Sequence, residues 1–187
     1  GASRVNTIIS GGTGSGKTTL QNCLTNFIDE DERIITCEDA AELQLQQSHV
    51  VRLESRPPNL EGEGQVTMRD LVRNCLRMRP ERIIVGEVRG PEALDLLDAW
   101  ATGHPGGVAT VHASTPEGAL LRLDRLAQRA NVPQQTALIA EAVDLIVVIE
   151  GGNSGRRVSD LVRVTGLGQD GRFVLHRFTE GESCRAA

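Results

Sequence analysis

The feature that most constrains the fold is a glycine-rich run near the start of the chain, Gly11-Gly12-Thr13-Gly14-Ser15-Gly16-Lys17-Thr18. It follows an apolar run, Val5–Ile9, and precedes a segment with helical spacing, Thr18–Phe27. Strand, loop and helix in this order fit the pattern G-x-x-x-x-G-K-[ST] of a phosphate-binding loop. Glycines there allow positive φ and let backbone N–H groups approach a phosphate.

This phosphate loop predicts a site for a nucleoside triphosphate and Mg²⁺. Lys17 stands where a lysine reaches the β- and γ-phosphates, and the Thr18 hydroxyl stands where it can ligate the metal. The helix N-terminus adds free N–H donors and the positive end of a dipole. The alternative dinucleotide pattern G-x-G-x-x-G fails, because its third glycine would fall on Lys17 or Thr19. The predicted nucleotide-binding residues are Gly12, Thr13, Gly14, Ser15, Gly16, Lys17, Thr18 and Thr19.

Composition excludes several classes of protein. The 187 residues suit one domain, and with 2% aromatic residues the core must be aliphatic. Few aromatics and a net charge of −5 argue against base stacking and against an extended nucleic-acid footprint, so no sequence-specific nucleic-acid binding is expected. The four cysteines have no zinc-type spacing, which favours free thiols. No apolar run is long enough to span a membrane.

Short apolar runs recur along the chain, as buried strands do. The eight runs are Val5–Ile9, Arg33–Cys37, His49–Leu53, Arg82–Val85, Val108–Val111, Asp144–Ile149, Leu161–Thr165 and Phe173–Arg177. Between them, apolar stripes with helical spacing begin at Met68, Ala93 and Ala119. This alternation predicts an α/β fold with a mainly parallel central sheet flanked by helices on both faces.

The C-terminal part has a different pattern. Residues 143–178 carry apolar runs separated by glycine-rich turns, and we expect a C-terminal antiparallel appendage there. Residues 179–187 show no pattern, and we expect a mobile tail. The connection from Glu54 to Val66 is long for a compact domain, which leaves two interpretations open: a binding or subunit-contact role, or plain disorder.

Acidic residues follow two of the predicted strands. Glu38 and Asp39 end the second strand, and Glu87 follows the fourth with Gly86 between. Carboxylates at the carboxyl ends of strands can hold Mg²⁺, polarise the attacking water or take its proton. The generic pattern has an aspartate where Gly86 stands, so Glu87 must act alone or share the metal with another acid. We predict catalytic roles for Glu38 and Glu87 and metal-binding roles for Thr18, Glu87 and Asp39; solvated strand-end acids are the alternative.

Two histidines flank the predicted strand Val108–Val111. His112 ends that strand, and His104 precedes it between glycines. A neutral imidazole at a strand end can donate to a phosphate oxygen and report its loss. We predict that His112 is a γ-phosphate sensor and that His104 is an accessory residue, with satisfied structural histidines as the alternative.

Three arginines lie on one helix, opposite its apolar stripe. Arg69, Arg73 and Arg77 are spaced at i, i+4 and i+8. A nucleic-acid patch is one interpretation. A solvated face or a subunit contact is the favoured one, because acidic residues balance the domain.

Four segments together resemble the type II/IV secretion ATPase superfamily, and the similarity runs from about Arg4 to Arg177. In that family's terms they are the phosphate loop, the acidic box, the Walker B segment and the histidine box, at Gly11–Thr19, Ile35–Leu45, Met78–Gly90 and Thr102–Ala113. The resemblance implies a RecA-like P-loop NTPase fold, Mg-ATP hydrolysis, a homo-hexamer and inner-membrane components of a secretion, pilus or conjugation machine as partners. It implies a cytoplasmic location, peripheral at the inner face of the cytoplasmic membrane.

The resemblance also implies residue roles. Glu38 would be the general base, Glu87 the Walker B acid, and His112 the histidine-box sensor. Arg89 matches the family's Glu-x-Arg after Walker B and would be an accessory residue. Family members carry an N-terminal domain that supplies arginines to the nucleotide. We expect this chain to lack that domain, which leaves its own turnover and ring assembly open.

Two branches and three functions stay open. Three segments look like the Tad/Flp-pilus ATPases: Glu38–Leu45, Arg56–Asn59 and Thr67–Val72. Two others, Gly103–Ala113 and the run Leu138–Val148, look more like the conjugal-transfer ATPases. A motor ATPase is the leading hypothesis. The alternatives are a nucleotide-binding module that turns over little and a small-molecule P-loop kinase.

Overall fold

The computed structural model describes residues 4–152 and 155–179. In chain order its strands are β1 (Thr7–Gly11), β2 (Ile34–Glu38), β3 (Val50–Glu54), β4 (Arg82–Val85), β5 (Val108–Val111), β6 (Leu145–Gly152), β7 (Gly155–Leu167) and β8 (Phe173–Arg177). The α-helices are α1 (Lys17–Thr25), α2 (Met68–Cys75), α3 (Glu92–Ala101), α4 (Pro116–Ala127) and α5 (Thr136–Ala142), with short 3₁₀ turns at Leu76–Met78 and Gln128–Ala130.

All eight strands form one sheet in the order β3-β2-β4-β5-β1-β6-β7-β8. The pairs from β3 through β6 are parallel, and β7 and β8 add antiparallel strands at one edge. The predicted α/β fold with a mainly parallel sheet is therefore confirmed. Because parallel strands run the same way, the carboxyl ends of β1, β2, β4 and β5 lie side by side. We call this side of the sheet its carboxyl edge, and the opposite side its amino edge.

The extent of the antiparallel part differs from the prediction. Residues 143–178 were expected to form an appendage, but β6 pairs in parallel with β1, with Thr7 opposite Leu145. A crossover through α4 and α5 brings the chain back in the direction of β1, so only the hairpin after β6 reverses it. The antiparallel strands β7 and β8 extend the main sheet and do not form a separate layer.

The core lies on both faces of the sheet. Ile8, Ile35 and Ile83 belong to the cluster that packs against α2 to α5, whereas Ile9 and Ile84 belong to the cluster that packs against α1. Successive strand residues point to opposite faces, so strands covered on both sides are continuously apolar. This explains why the strands were readable as unbroken apolar runs.

Two of the three helical arginines, Arg69 and Arg73, form ion pairs with one acid of α3, and Arg73 stays solvated at 56% side-chain exposure. Arg69 Nε and Arg73 Nε lie 2.6 and 2.7 Å from the two carboxylate oxygens of Asp95. These ion pairs tie α2 to α3, because the arginine face of α2 turns towards its neighbour. Arg77 is exposed.

One helix was not predicted. The helix α5 has seven residues, of which Ile139 and Ala142 are buried. Two buried positions in two turns are too few to produce a recognisable apolar stripe. Its formation depends on contacts with α3, α4 and β7, which no local pattern reports.

The long connection from Glu54 to Val66 is an ordered turn. Arg56 and Val66 exchange two backbone hydrogen bonds of 2.9 Å at its base. The Asn59 side chain accepts hydrogen bonds from the backbone of Glu61 and Glu63 at 3.0 and 2.8 Å. Leu60 at its tip is fully exposed. Plain disorder is thus not what the structure shows, and the subunit-contact role stays a prediction.

Part of the sequence lies outside the described residues. The predicted mobile tail, residues 179–187, is described only at Thr179, and Cys184 falls in the rest of it. Cys23, Cys37 and Cys75 are free thiols. Among the described helices, none combines the length and hydropathy that crossing a bilayer requires.

Candidate functional site

The phosphate loop joins the central strand β1 to α1. Gly14 has φ of 70° and Gly16 has φ of 100°, values that side chains other than glycine rarely adopt. Gly16 is the N-cap of α1, and no side chain caps that helix. The free N–H groups at the start of α1 are therefore available to an anion, as the sequence predicted.

The Lys17 ammonium lies back over this loop. Its Nζ donates hydrogen bonds to the carbonyls of Gly11 and Gly12 at 3.0 and 2.8 Å. The Ser15 hydroxyl also donates to the Gly12 carbonyl, at 2.9 Å. These bonds fix a positive charge at the carboxyl end of β1, next to the helix N-terminus.

Glu38 is a buried carboxylate, 1% exposed, at the end of β2. Its Oε1 accepts hydrogen bonds from the backbone N–H groups of Glu42 and Leu43, both at 2.9 Å. Its Oε2 accepts one from the Thr36 hydroxyl at 3.2 Å. These bonds satisfy the buried charge and shape the turn that follows β2. Oε2 keeps a free lone pair and can accept a proton from water.

Gly86 makes room for Glu38. A Cβ placed on Gly86 would lie 3.3 Å from Glu38 Cγ, which is tighter than ordinary van der Waals contact. An aspartate at this position would need still more space. The glycine in place of the generic aspartate is therefore matched by a carboxylate from the neighbouring strand β2.

Glu87 and Asp39 share one arginine. Arg89 Nη2 donates to Glu87 Oε2 at 2.7 Å, and Arg89 Nη1 lies 3.4 Å from Asp39 Oδ2. The hydrogen bond and the charge of Glu87 raise the pKa of Arg89 above its ordinary value. The Ser55 hydroxyl donates to Asp39 Oδ1 at 2.9 Å. The predicted accessory residue Arg89 thus bridges two predicted acids and occupies one oxygen of Glu87.

The two histidines lie at opposite edges of the sheet. His112 follows β5 at the carboxyl edge and is exposed. His104 precedes β5, and its Nδ1 lies 3.1 Å from the Pro80 carbonyl, ahead of β4. The structure does not bring His104 to the predicted site, so the accessory role predicted for it would have to be indirect.

Two cavities flank the phosphate loop. The first, of about 550 Å³, is lined by most predicted site residues: Thr13, Gly14, Gly16, Lys17, Thr18, Thr19, Glu38, Asp39, Glu87, Arg89 and His112. The second, of about 500 Å³, lies towards β6 and includes the remaining loop residues Gly12 and Ser15. Four separate strands therefore deliver the loop, both predicted catalytic acids and the histidine to one space.

The sequence reasoning missed four residues around this space. Glu42 accepts a hydrogen bond from the Thr18 hydroxyl at 3.3 Å. Thr110 donates to the Gly86 carbonyl at 2.6 Å and holds the segment after β4. Arg156 on β7 lines both cavities. The fourth missed residue is Glu92. Of the four, only Glu42 could have been found from the local sequence, since it lies four residues after Glu38.

Glu92 organises the segment that carries Glu87 and Arg89. It is 3% exposed at the first residue of α3, and its Oε1 accepts hydrogen bonds from the N–H groups of Arg89 and Gly90, both at 2.7 Å. A Cβ on Gly90 would lie 2.8 Å from Glu92 Oε2, so the close approach requires glycine there.

Replacing Glu92 with glutamine is expected to lower the free energy of unfolding by about 1–2 kcal/mol, because two charge-assisted hydrogen bonds become neutral ones. Thermal unfolding measures this change. Glu117→Gln is the matched control, since Glu117 is an exposed acid in the first turn of α4 and should cost less than about 1 kcal/mol. Equal unfolding midpoints for the two variants would contradict the organising role of Glu92.

The comparisons with known proteins identify the family and the fold. The family model described as "Type II/IV secretion system protein" matches residues 1–153. The conjugal transfer protein TrbB of Rhizobium radiobacter is 46% identical over 167 residues, which cover 88% of this chain and 50% of that protein. The fold is the RecA-like α/β fold of secretion ATPases. This chain belongs to the type II/IV secretion system protein family.

Solved structures show the same architecture. The VirB11 ATPase of the Brucella suis type IV secretion system, in complex with sulphate, matches with a TM-score of 0.75 and 34% identity over 86% of this chain and 48% of that one. The pilus retraction motor PilT with bound ADP matches with a TM-score of 0.61 and 25% identity over 84% of this chain and 46% of that one. The chain spans about half the length of the relatives it matches.

Proposed function

We propose that this chain is the Mg-ATP-hydrolysing motor domain of a secretion ATPase. The observation that carries the proposal is the convergence of the phosphate loop, Glu38, Glu87 and His112 on one cavity at the carboxyl edge of the sheet. Binding alone would require the loop and the helix N-terminus. Two strand-end acids and a histidine add groups that can act on water and sense a phosphate.

The oxygen ligands fit Mg²⁺. Within residues 4–152 and 155–179, no three histidine, cysteine, aspartate or glutamate side chains cluster closely enough to hold a metal by themselves. Mg²⁺ is commonly held by one or two carboxylates together with substrate phosphates and water. Thr18 would hold it, with Glu87 and Asp39 acting directly or through water, and Glu42 is already hydrogen-bonded to Thr18. When bound, the metal neutralises charge on the β- and γ-phosphate oxygens.

The side chains divide the work between binding and chemistry. Lys17 and the N–H groups of α1 bind the phosphates. Glu38 Oε2 takes a proton from the attacking water, since its other oxygen is occupied by backbone donors. His112 contacts the γ-phosphate and registers its loss. Arg89 holds Glu87 until nucleotide and metal draw that acid away, which couples loading of the site to its activation.

Assembly into a homo-hexamer and attachment to a membrane-bound machine complete the proposal. The matched relatives are about twice as long as this chain, so the remaining wall of the site would come from sequence outside it and from a neighbouring subunit. The ordered Glu54–Val66 turn, with Leu60 fully exposed, is a suitable subunit contact. The likeness to TrbB favours the conjugal-transfer branch over the pilus branch, at the cytoplasmic face of the membrane.

A second candidate is a nucleotide-binding module that turns over little. The observation in its favour is that both proposed acids are occupied by protein groups: Glu38 by three hydrogen bonds and Glu87 by Arg89. Nucleotide would then set the geometry of an assembly without rapid hydrolysis. Steady-state phosphate release separates the two candidates, and release without any added acceptor excludes a kinase.

Lys17 allows a direct test, because it is the only lysine in the sequence. We expect ATP to protect Lys17 from an amine-reactive reagent, as measured by peptide mass spectrometry. Lys17→Ala should weaken ATP binding by roughly 10- to 100-fold, because it removes the binding free energy of one or two charge-assisted hydrogen bonds. Calorimetry of residues 1–187 measures the affinity.

Phosphate release is measured on the protein at its full natural length and on residues 1–187 in parallel, together with particle size with and without ATP. Lys17→Arg is the matched control, since it keeps the charge but not the compact ammonium. Wild-type ATP affinity in Lys17→Ala, or no protection of Lys17 by ATP, would refute the proposed site. Binding without phosphate release at full natural length would favour the second candidate.

A further inference from the structure

Arg156 lies across the phosphate loop from the opposite end of the chain. It is the second residue of β7 and lines both cavities. A Cβ placed on Gly16 would lie 2.7 Å from Arg156 Cδ and 3.0 Å from its Nε. Its Nη1 lies 3.4 Å from Thr19 Oγ1. Gly16 is therefore required for its positive φ of 100°, and the arginine side chain lies directly over it.

The charge of Arg156 is unpaired within the part of the chain that the structure describes. Among residues 4–152 and 155–179, no carboxylate forms an ion pair with it, whereas the adjacent Arg157 pairs with Glu150 at 3.1 Å. It lines the first cavity together with Lys17 and the N-terminus of α1, which are positive as well, whereas the acids of that cavity, Glu38, Asp39, Glu42 and Glu87, lie on or after β2 and β4. Placing three positive groups together is unfavourable unless an anion lies between them. The arrangement suits a ligand with several phosphates.

The sheet order decides which part of such a ligand Arg156 meets. The strands β5, β4 and β2, which carry His112, Glu87 and Glu38, lie on one side of β1, whereas β6 and β7 lie on the other. The γ-phosphate belongs on the side of the acids, where water attacks. The opposite side, with Arg156 and the second cavity, faces the nucleoside end of the same molecule.

We propose that Arg156 binds the α-phosphate of the nucleotide at its nucleoside end, in the same chain that supplies the phosphate loop. This inference rests on the proposed function, since it takes the acidic side of the loop as the place of γ-phosphate cleavage. ATP and ADP share the α-phosphate, so Arg156 stabilises both complexes equally. Such uniform binding lowers the Kd and KM without changing kcat.

The test is Arg156→Gln, with Arg157→Gln as the matched control on the same strand. Calorimetric titrations of wild type and variants with ATP and with ADP give the affinities, and steady-state assays at full natural length give kcat and KM. We expect Arg156→Gln to bind both nucleotides about 10-fold more weakly, with kcat within twofold of wild type. Arg157→Gln should bind both like wild type. Arg156→Lys, which keeps the charge without the guanidinium fork, should give an intermediate affinity.

The outcomes separate this inference from the proposed function. Affinities of Arg156→Gln within twofold of wild type would refute it, and so would a loss confined to ATP, which would place Arg156 at the γ-phosphate. A fall in kcat at unchanged KM would also refute it. If wild type binds both nucleotides but releases no phosphate, the proposed function fails while the paired affinities still decide the role of Arg156. If wild type binds neither, both fail.

Discussion

Replacing Glu38 with glutamine is expected to reduce kcat for ATP hydrolysis by about 100- to 10,000-fold, the range that general-base catalysis contributes. ATP affinity should stay within about threefold of wild type, because the carboxylate acts on water and does not touch the phosphate loop through any hydrogen bond. This combination, binding retained and turnover lost, is the signature of a group that acts in the transition state.

The glutamine variant is suited to this test because the fold can tolerate it. The amide oxygen can take the place of Oε1 and accept the N–H groups of Glu42 and Leu43. The amide nitrogen would then face the Thr36 hydroxyl, which can rotate to accept. The local hydrogen bonds persist, and what is lost is the lone pair that receives the proton. An alanine at this position would instead leave two buried donors without partners.

Glu54→Gln is the matched control. Glu54 ends β3 directly opposite Glu38 in the β2–β3 register, but it is exposed and does not line the cavity. Its kcat should equal that of wild type. Calorimetry for ATP and phosphate release at full natural length supply the two readouts. If Glu38→Gln hydrolyses ATP at the wild-type rate, the base lies elsewhere, and Glu87→Gln becomes the decisive variant.

The sequence determines which edge of the sheet carries the site. Glu38, Glu87 and His112 each follow an apolar run, and strands buried on both faces are readable as such runs. Because these strands are parallel, the residue that follows each apolar run lies at the carboxyl edge of the sheet. The same reasoning excludes His104, because it precedes β5, and a strand of four residues spans about 13 Å. His104 was predicted because glycines flank it, but it lies at the amino end of β5 and the site lies at the carboxyl end.

The rest of the site depends on contacts that no local pattern encodes. Arg156 is 137 positions from Thr19 along the chain, and only the parallel pairing of β6 with β1 brings its hairpin to the loop. Glu92 has the pattern of an ordinary first-turn acid of α3, since burial and the two N–H groups it accepts are tertiary facts. Strand order places Arg156 beside the loop, and packing buries Glu92. The hydrophobic periodicity of the sequence shows neither strand order nor packing between elements.

Replacing Arg82 with methionine is expected to lower the free energy of unfolding by about 3–5 kcal/mol. Arg82 is 4% exposed, and its Nε and Nη2 donate to the two oxygens of Glu32 at 2.7 and 2.8 Å. Its Nη1 donates to the Gly106 carbonyl at 2.9 Å, so one side chain joins three segments at the amino edge of the sheet. Removing one partner of a buried pair leaves the other charge uncompensated, which accounts for the large effect.

Thermal unfolding measures this loss as a fall in Tm of roughly 6–20 °C, at 2–4 °C per kcal/mol for a domain of this size. Adding Glu32→Leu to Arg82→Met should recover much of the loss, because an apolar pair carries no uncompensated charge. Arg177→Met is the control, since Arg177 pairs with Glu117 and Asp160 while half of its side chain is exposed, and it should cost less than about 1 kcal/mol. A cost for Arg82→Met as small as that of the control would contradict the structural role of the buried pair.

The same pair makes stability depend on pH in a defined direction. The hydrogen bonds from Arg82, and then the charges of Arg82 and Arg4, hold the pKa of Glu32 below its ordinary value despite the opposing effect of burial. A carboxyl with a lowered folded-state pKa stabilises the fold fully above its unfolded pKa of about 4.3, and this stabilisation is lost as pH falls towards the folded value. Wild type should therefore lose stability between pH 5 and 3 more steeply than Arg82→Met, in which Glu32 keeps only the more distant Arg4, at 3.6 Å. Urea titrations at both pH values measure the difference, and parallel slopes for the two proteins would show that Arg82 does not set the ionisation of Glu32.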